Sequence, residues 1–341
     1  VLNVLRQLPD ESVHCVITSP PYWGLRKYEG KEQDQVWSDS KDCEHEWNKV
    51  HPMGYRSSDT HPGPLQSDGT KNRECLESNI CVRCGAWRGQ LGLEPTPELY
   101  IQHLLDVFRE VKRVLRNDGT LWLNMGDSYA SNWGAGANRK SSWWSTASGE
   151  LEGKGWGDVE TAIPPNMWRK HPTIKPKDLI GIPWRVVFAL QADGWYLRSD
   201  IIWHKPNPMP ESVKDRPTKS HEYVFLLAKS SKYFYDADAV REPAKDWGSR
   251  DRTKFRGGTA DPLLKHHGLT KGDFASRGRN KRSVWTIPTA SFKGAHFAVF
   301  PKKLVEPMVK AGCPKTGIVL DPFVGSGTTC VVAKLLGRDY V

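Results

Sequence analysis

Short apolar runs alternate with longer amphipathic stretches along this chain of 341 residues. The apolar runs have the length and composition of buried β-strands, and they cover residues 13–17, 120–125, 196–204, 223–228 and 317–320. The amphipathic stretches carry apolar residues at helical spacing, and they cover residues 2–8, 97–115, 182–192, 302–311 and 330–336. Helices that alternate with buried strands predict a doubly wound α/β fold with a mostly parallel sheet.

Specific residues mark the boundaries of the second helix. Thr96 is suited to cap the helix N-terminus, and Pro97 fits the first helical position, where a backbone N–H would have no partner. The Asn-Asp-Gly run at residues 117–119 ends the helix and leads into the strand that begins at Thr120. This region therefore predicts a complete helix–strand unit.

Two polar stretches interrupt the alternation of strands and helices. The first covers residues 38–92, and the second covers residues 128–176 and is rich in Gly, Ser and Trp. A chain of this length fits one large α/β domain with insertions, or two domains. We interpret residues 1–341 as a single domain with two insertions.

The first insertion contains a predicted metal site. Cys81-x-x-Cys84 followed by glycine is typical of half of a tetrahedral zinc site, and Cys43-x-His45 supplies the other half. An insertion with little apolar content gains folding free energy from a bound metal. The alternatives are free thiols or a redox pair, and Cys75 is a substitute for one of the four ligands.

The formal net charge of +10 indicates a polyanionic partner, most simply nucleic acid. A basic surface kept only for solubility is the alternative. Residues 241–282 contain twelve Lys and Arg against five Asp and Glu, with few apolar residues. We interpret residues 236–283 as a basic target-recognition segment that follows phosphates, or alternatively as a disordered basic linker. The candidate DNA contacts are Arg250, Arg252, Lys254, Arg256, Arg277, Arg279, Lys281 and Arg282.

Targeting signals are not visible in the sequence. No run of eighteen apolar residues exists, and the chain does not start with a charged and then apolar signal peptide. The seven cysteines are therefore expected to be reduced thiols or metal ligands, because a disulfide framework belongs to oxidising compartments. These observations predict a cytoplasmic protein without a membrane partner.

Two short motifs at opposite ends of the chain carry the candidate chemistry. Thr18-Ser19-Pro20-Pro21-Tyr22 follows the strand at residues 13–17, and Asp-Pro-Phe-Val-Gly-Ser-Gly-Thr-Thr at residues 321–329 follows the strand at residues 317–320. Open α/β sheets bind ligands outside the carboxyl ends of their strands. We therefore expect both motifs at one crevice. In the second motif, Gly-x-Gly lets the backbone approach a ligand, and the helix that follows offers free N–H groups.

The two motifs resemble those of DNA amino-methyltransferases of the group in which the Ser-Pro-Pro-Tyr motif precedes the cofactor motif, and the resemblance covers most of the chain. It implies a circularly permuted, Rossmann-like methyltransferase fold that binds S-adenosylmethionine. It also implies that an acidic residue beyond Val341 holds the cofactor ribose. The implied cofactor residues are Thr18, Asp321, Pro322, Phe323, Gly325, Ser326, Gly327, Thr328 and Thr329. Phe300 and Pro301 resemble the segment that completes the pocket, and ordinary core packing is the alternative there.

The first motif suits the methylation of an exocyclic amine, whose lone pair is delocalised into the base. The Ser19 hydroxyl and the Pro20 carbonyl can accept hydrogen bonds from the two N–H groups of the amine. These bonds would draw the nitrogen toward tetrahedral geometry. Pro20 and Pro21 hold these acceptors rigidly. Tyr22 offers a flat face to a base taken out of the stack. We predict catalytic roles for Ser19, Pro20, Pro21 and Tyr22.

The base remains to be chosen. A 5-carbon cytosine methyltransferase needs a Pro-Cys nucleophile, and the chain contains Cys313-Pro314 but no Pro-Cys. The related adenine enzymes usually carry Asp or Asn where Ser19 stands, so serine favours the N4 amine of cytosine. The alternatives are an N6-adenine methyltransferase and a non-catalytic, zinc-containing DNA-binding protein. The expected partners are double-stranded DNA and a cognate restriction endonuclease, and the expected state is a monomer or homodimer.

Overall fold

The computed structural model describes residues 1–24, 34–37, 42–50, 76–130, 171–243, 278–290 and 300–341. The chain divides into two compact units. Unit 1 comprises Val1–Tyr22, Leu104–Asn132 and Trp168–Val341, and unit 2 comprises Trp23–His103 and Trp133–Met167. Among the helices of the described residues, none is both long and apolar enough to cross a membrane.

The described strands include every predicted run in unit 1 and add a sheet in unit 2. The strand predicted from Thr120 begins at Leu115, so the Asn-Asp-Gly run lies inside it rather than before it. In chain order the described strands are β1 (Val13–Thr18), β2 (Gln35–Trp37), β3 (Trp47–Val50), β4 (Leu76–Cys81), β5 (Trp87–Gly89), β6 (Leu115–Met125), β7 (Tyr196–His204), β8 (His221–Ala228), β9 (Val284–Thr286), β10 (Ile318–Leu320) and β11 (Asp339–Tyr340). The described α-helices are α1 (Leu2–Leu5), α2 (Pro97–Val114), α3 (Ile182–Ala192), α4 (Lys302–Gly312) and α5 (Thr328–Leu335).

The sheet of unit 1 has the order β11-β10-β1-β6-β8-β7-β9. Strand β1 is parallel to both of its neighbours, β10 and β6, and β10 is parallel to β11. Only β8 runs against its neighbours, β6 and β7, among the strands of this sheet. The predicted doubly wound, mostly parallel sheet is confirmed. The pairing of β1 with β10 also shows how motifs near the two ends of the chain come together.

The core of unit 1 explains why these segments form strands. Cys15, Val16 and Ile17 are buried, as expected for a central parallel strand that is covered on both faces. Helix α4 presents Leu304 and Met308 to one face of the sheet. The same apolar cluster includes Trp122, Ile201, Trp203, Val224, Val305, Val309 and Val319.

The ends of several helices differ from the sequence predictions. Helix α2 begins as predicted, because the Leu99 N–H donates to Thr96 Oγ1 over 3.2 Å. The first helix stops at Leu5 rather than continuing to residue 8. Helix α5 starts at Thr328, directly after the Gly-Ser-Gly run at residues 325–327, which we call the glycine turn. In that helix the polar threonines carry no apolar periodicity, so the hydrophobic pattern placed its start two residues late.

Unit 2 contains a four-stranded sheet with the order β2-β5-β4-β3, and its described pairs are antiparallel. The sequence analysis predicts no strand in this polar region. The four strands have only three to six residues each, so their alternation is too short to show in the sequence. Unit 2 includes all of the predicted first insertion, residues 38–92.

Candidate active site and metal site

The crevice of unit 1 begins where β1 and β10 end side by side. Val16 pairs with Leu320 in the parallel register, so the two motifs that follow these strands start at the same edge of the sheet. The predicted meeting of the motifs is therefore present in the structure. The sequence separation of about 300 residues does not matter, because parallel strands align their carboxyl ends.

A buried carboxylate ties the two motifs together. Thr18 Oγ1 donates to Asp321 Oδ1 over 2.6 Å, and Thr329 Oγ1 donates to Asp321 Oδ2 over 2.7 Å. The Phe323 N–H also donates to Oδ1, over 3.1 Å. Asp321 is 5 % exposed, and burial raises the pKa of its carboxyl group although the hydrogen bonds of Thr18 and Thr329 oppose the rise. Asp321 therefore shapes the turn from within.

The turn that follows Asp321 adopts conformations that glycine favours. Gly325 has φ +51° and Gly327 has φ +78°, both in the left-handed region. A Cβ atom added at Gly327 would meet no atom within 4 Å, so backbone conformation alone requires glycine there. Gly327 directly precedes α5, whose first residues Thr328 and Thr329 are buried. The turn thus brings a helix N-terminus to the crevice, and such an end attracts negatively charged groups.

A narrow pocket, too tight to hold a water molecule, lies beside these motifs. Its lining residues are Ile17, Thr18, Trp122, Asn124, Phe300, Leu304 and Met308. Phe300 both lines this pocket and packs against the core cluster, so it fits each of the two interpretations given above. Pro301 is buried and caps α4. Residues 296–299 of the predicted pocket segment lie outside the described residues.

The Ser-Pro-Pro-Tyr motif at residues 19–22, which we call the reactive motif, forms a hydrogen-bonded chain across the sheet edge. Ser19 is half-buried, and its hydroxyl donates to Tyr22 Oη over 3.4 Å. The Tyr22 hydroxyl donates to Glu222 Oε2 over 2.8 Å and lies 3.4 Å from Asn124 Oδ1. Asn124 Nδ2 donates to Glu222 Oε2 over 3.3 Å. Lys205 Nζ donates to the second oxygen of Glu222, completing the network.

Sequence analysis missed Asn124, Lys205 and Glu222. Asn124 lies near the end of β6, Lys205 directly follows β7, and Glu222 lies near the start of the antiparallel strand β8. All three positions belong to the edge at which β1 and β10 end. A signal was present, since each is a polar residue at the end of an apolar run, but only the strand order assigns them to one edge.

A fourth residue that the sequence analysis missed, Asp127, organises the same edge. Its Oδ1 accepts the N–H groups of Gly181 and Ile182, each over 3.0 Å, at the start of α3. Burial raises the pKa of the Asp127 carboxyl, against the opposing effect of Lys219. Burial likewise lowers the pKa of the Lys219 ammonium, which donates to the Asp127 carbonyl over 3.2 Å. Asp127 thus caps α3 from outside the helix.

Unit 2 brings the four predicted metal ligands together. The ligand atoms of Cys43, His45, Cys81 and Cys84 all lie within 4.8 Å of one another. Cys43 Sγ is 3.9 Å from Cys81 Sγ, and Cys84 Sγ is 3.5 Å from His45 Nδ1. Zinc–sulfur bonds are about 2.3 Å long and zinc–nitrogen bonds about 2.0 Å. In a tetrahedral site these lengths place two sulfur atoms about 3.8 Å apart, and a sulfur and a nitrogen about 3.5 Å apart. These two distances are therefore close to those of a zinc site, and all four ligand atoms lie within 4.8 Å of one another. Cys75, the predicted substitute, lies outside the described residues.

The described part of the basic segment is anchored on one carboxylate. Glu242 and Arg279 exchange two backbone hydrogen bonds, of 2.9 and 2.8 Å, so positions near the two ends of residues 236–283 lie together. The Glu242 carboxylate is 3.3 Å from Arg279, 4.0 Å from Lys281 and 2.9 Å from Arg282. The other candidate DNA contacts lie outside the described residues: Arg250, Arg252, Lys254, Arg256 and Arg277.

A parallel sheet with a glycine turn and a Ser-Pro-Pro-Tyr motif at adjacent strand ends is the arrangement of the S-adenosylmethionine-dependent methyltransferase fold. A solved structure with this fold supports the assignment. The PvuII DNA methyltransferase (cytosine-N4-specific) superposes with a TM-score of 0.51 at 16 % identity, over 99 % of this chain and 77 % of that one.

The sequence comparisons then identify the family. A family model described as DNA methylase (N6_N4_Mtase) matches residues 13–341. The type II methyltransferase M.XycI of Xanthomonas campestris pv. cyanopsidis is 40 % identical over 344 aligned positions, which cover 100 % of this chain and 79 % of that protein. M.Cfr9I of Citrobacter freundii is 38 % identical, with the same coverage. The chain belongs to the N6/N4 family of DNA methylases, which confirms the predicted resemblance and counts against a non-catalytic DNA-binding protein.

Proposed function

We propose that this methyltransferase moves the methyl group of S-adenosylmethionine to the exocyclic N4 amine of a cytosine flipped out of double-stranded DNA. The observation that carries the proposal is the junction of Thr18, Asp321 and Thr329, which fixes the reactive motif directly beside the glycine turn. A methyl donor held at the turn is thereby presented to an amine held at Ser19. Such direct transfer depends mainly on positioning, because the sulfonium is already a strong electrophile.

The described cofactor residues divide into two roles. Gly325 is exposed and Ser326 and Gly327 are half-buried, so the backbone of the turn is available to a ligand. Asp321 and Thr329 are buried and hydrogen-bonded to each other, so they hold the turn in shape. The N-terminus of α5 suits the carboxylate of the cofactor's methionine moiety. The bound cofactor would supply the electrophilic methyl group.

The reactive motif supplies the acceptors for the amine. The Ser19 hydroxyl and the Pro20 carbonyl are proposed to accept the two N–H bonds, which localises the lone pair on nitrogen. The Tyr22 ring is held against the main chain at Gly126, where an added Cβ would approach Tyr22 Cε2 to 2.6 Å. A ring fixed in this way offers a preformed stacking surface to an extruded base.

Two observations support cytosine over adenine. Serine occupies position 19, where the related adenine enzymes usually carry Asp or Asn. In addition, the superposed PvuII enzyme is described as cytosine-N4-specific. The relatives named above are type II methyltransferases, and by likeness we propose that this enzyme protects DNA alongside a cognate restriction endonuclease.

The product of the reaction tests the proposal. Purified protein is incubated with mixed-sequence duplex DNA and labelled S-adenosylmethionine, and the digested nucleosides are identified by mass spectrometry. We expect N4-methylcytosine from the wild type and none from Ser19→Ala. N6-methyladenine would reject the assignment of the base, and absence of any methylated nucleoside despite cofactor binding would reject DNA as the substrate.

We also propose that Cys43, His45, Cys81 and Cys84 bind one structural Zn²⁺. Two of the ligand–ligand distances, 3.9 Å between Cys43 Sγ and Cys81 Sγ and 3.5 Å between Cys84 Sγ and His45 Nδ1, are close to the edges of a tetrahedral site. All four positions are filled by protein ligands, which is typical of a structural rather than a catalytic zinc ion. The ion would join Cys81 at the end of β4 and Cys84 in the β4–β5 turn to the segment before β3, which carries Cys43 and His45.

Metal analysis of the intact protein tests the zinc site. We expect one zinc ion per chain by plasma mass spectrometry, retention of that zinc in Cys330→Ser, and its loss in Cys84→Ser. Cys330 is a matched control because it is a half-buried free cysteine outside the cluster. A wild type that contains no metal, and whose three cluster cysteines react as free thiols or form a disulfide, would overturn the assignment.

A further inference from the structure

The crevice contains an ion pair that the proposed chemistry does not explain. Glu222 and Lys205 have side chains that are 17 % and 19 % exposed, and the ammonium donates to Glu222 Oε1. Lys205 Nζ also lies 4.4 Å from the centre of the Trp203 ring, a cation–π contact. Taking two charges largely out of water is costly, and apolar residues would often be at least as stable. The presence of such a pair at this edge therefore points to a role in the site.

Glu222 is the acceptor on which the reactive motif converges. Its Oε2 accepts the Tyr22 hydroxyl over 2.8 Å and Asn124 Nδ2 over 3.3 Å. Asn124 Nδ2 also donates to the Tyr223 carbonyl over 3.0 Å, which fixes the orientation of the amide. Lys205 occupies the other carboxylate oxygen. One carboxylate thus sets the positions of Tyr22 and Asn124, and Lys205 in turn sets the position of the carboxylate.

The Tyr22 ring is consequently held on two sides. At one end its hydroxyl is bound to Glu222, and along its edge it lies against Gly126, where no Cβ fits. The Ser19 hydroxyl also donates to the Tyr22 hydroxyl, over 3.4 Å. Any displacement of the Tyr22 hydroxyl therefore affects both the stacking surface and a contact of the Ser19 side chain.

We propose that Glu222 and Lys205 are positioning residues for the methyl transfer, fixing Tyr22 and Asn124 in the place where they receive the extruded base beside Ser19. This inference rests on the proposed function and assigns two residues to it. Neither residue needs to touch the cofactor. Loss of the pair is expected to loosen the base rather than the cofactor, and misplacement of reacting groups by about 1 Å can cost about 100-fold in rate.

A double-mutant cycle tests the inference. The variants are Glu222→Gln, Tyr22→Phe and their combination, and the measurements are the single-turnover rate of methyl transfer and the Kd for S-adenosylmethionine. We expect each single variant to lose on the order of 10- to 100-fold in rate, with the cofactor Kd unchanged, and the double variant to lose no more than the worse single one. Glu306→Gln is the control, because Glu306 forms an exposed pair with Lys310 on α4.

A second measurement separates positioning from folding. The fluorescence of 2-aminopurine placed beside the target base reports extrusion, and we expect Glu222→Gln to reduce it while the thermal midpoint stays close to that of the control. Multiplicative losses in the double variant, an unchanged rate, or a joint fall of cofactor affinity and thermal midpoint would overturn the proposal. The product of the wild type is identified first, so failure of the proposed function appears there, whereas failure of this inference appears only in the variants.

Discussion

The two units of this protein place their polar side chains by different means. In unit 1 an apolar cluster supports a seven-stranded sheet, and the polar site residues stand only where the strands end. In unit 2 the strands are short, and polar groups lie inside the unit, including the fully buried pair of Glu94 and His103. A large apolar core thus leaves the polar groups of unit 1 free for chemistry. The small sheet of unit 2 instead encloses polar groups, and it carries the four proposed metal ligands.

The interior of unit 2 shows this most clearly. His103 Nδ1 and Glu94 Oε1 are 2.9 Å apart, and both side chains are completely buried. The His103 ring stacks between Trp37 and Trp87, with ring centres 4.9 and 5.5 Å away. Glu94 Oε2 also accepts the Gly92 N–H over 2.8 Å. The pair is therefore held by two stacked rings and one backbone N–H, while His103 Nε2 has no hydrogen-bond partner among the described residues.

Of the changes considered, metal removal should have the largest effect on the stability of unit 2. We expect a strong chelator, or Cys81→Ser, to unfold the β4–β5 region of unit 2, since structural zinc contributes on the order of 10 kcal/mol of apparent binding free energy in small domains. Hydrogen exchange of the β4 and β5 amides measures this effect. Cofactor binding by unit 1 is the internal control. Equal protection of β4 and β5 with and without metal would show that the apolar core of unit 2 suffices.

Removal of the buried imidazole should have the next largest effect. We expect His103→Ala to lower the free energy of unfolding by about 3–5 kcal/mol, because it leaves the Glu94 carboxylate buried without its partner. Chemical denaturation followed by tryptophan fluorescence measures the change. Arg83→Ala is the matched control, since Arg83 forms a solvent-exposed pair with Glu46 at 3.2 Å and such pairs contribute little. Similar losses in the two variants would contradict this account.

In unit 1, a glycine substitution tests whether the backbone of the glycine turn binds the cofactor. We expect Gly327→Ala to weaken S-adenosylmethionine binding about tenfold, because a left-handed alanine costs about 1–2 kcal/mol. Isothermal titration calorimetry measures the Kd. Gly337→Ala is the matched control, because Gly337 has φ +71° with no atom within 4 Å of an added Cβ, yet it follows α5 rather than preceding it. If both variants bind the cofactor equally, the turn is not the binding element.

The smallest expected effect is a pH dependence at Asp321. Burial raises the pKa of this carboxyl above its ordinary value of 3.8, so between the two values the folded protein binds more protons than the unfolded chain. Its contribution to the free energy of unfolding therefore falls as pH rises through that window. We expect the stability of Asp321→Asn, measured by denaturation at a series of pH values, to lack this contribution. Parallel pH curves for the variant and the wild type would contradict the shift.

Sequence reasoning predicted the elements of unit 1 well. The strand at residues 196–204 and the helix at residues 182–192 match the structure at both ends, because each has a strong apolar pattern and a marked end. The four candidate metal ligands were predicted from their spacing, and the structure brings these four side chains together. The sheet of unit 2 was missed, because strands as short as β2 and β5 show too little alternation to differ from a loop.

The sequence by itself determined the fold class, the two motifs and the candidate metal ligands, because these depend on local periodicity and short spacings. Only the tertiary structure decided which distant polar residues share the crevice. Glu222 meets Tyr22 across 200 positions because β8 enters the sheet between β6 and β7 and runs against them. Asp321 meets Thr18 because β10 pairs with β1. Strand order is set by the packing of the whole core, and no local pattern specifies it.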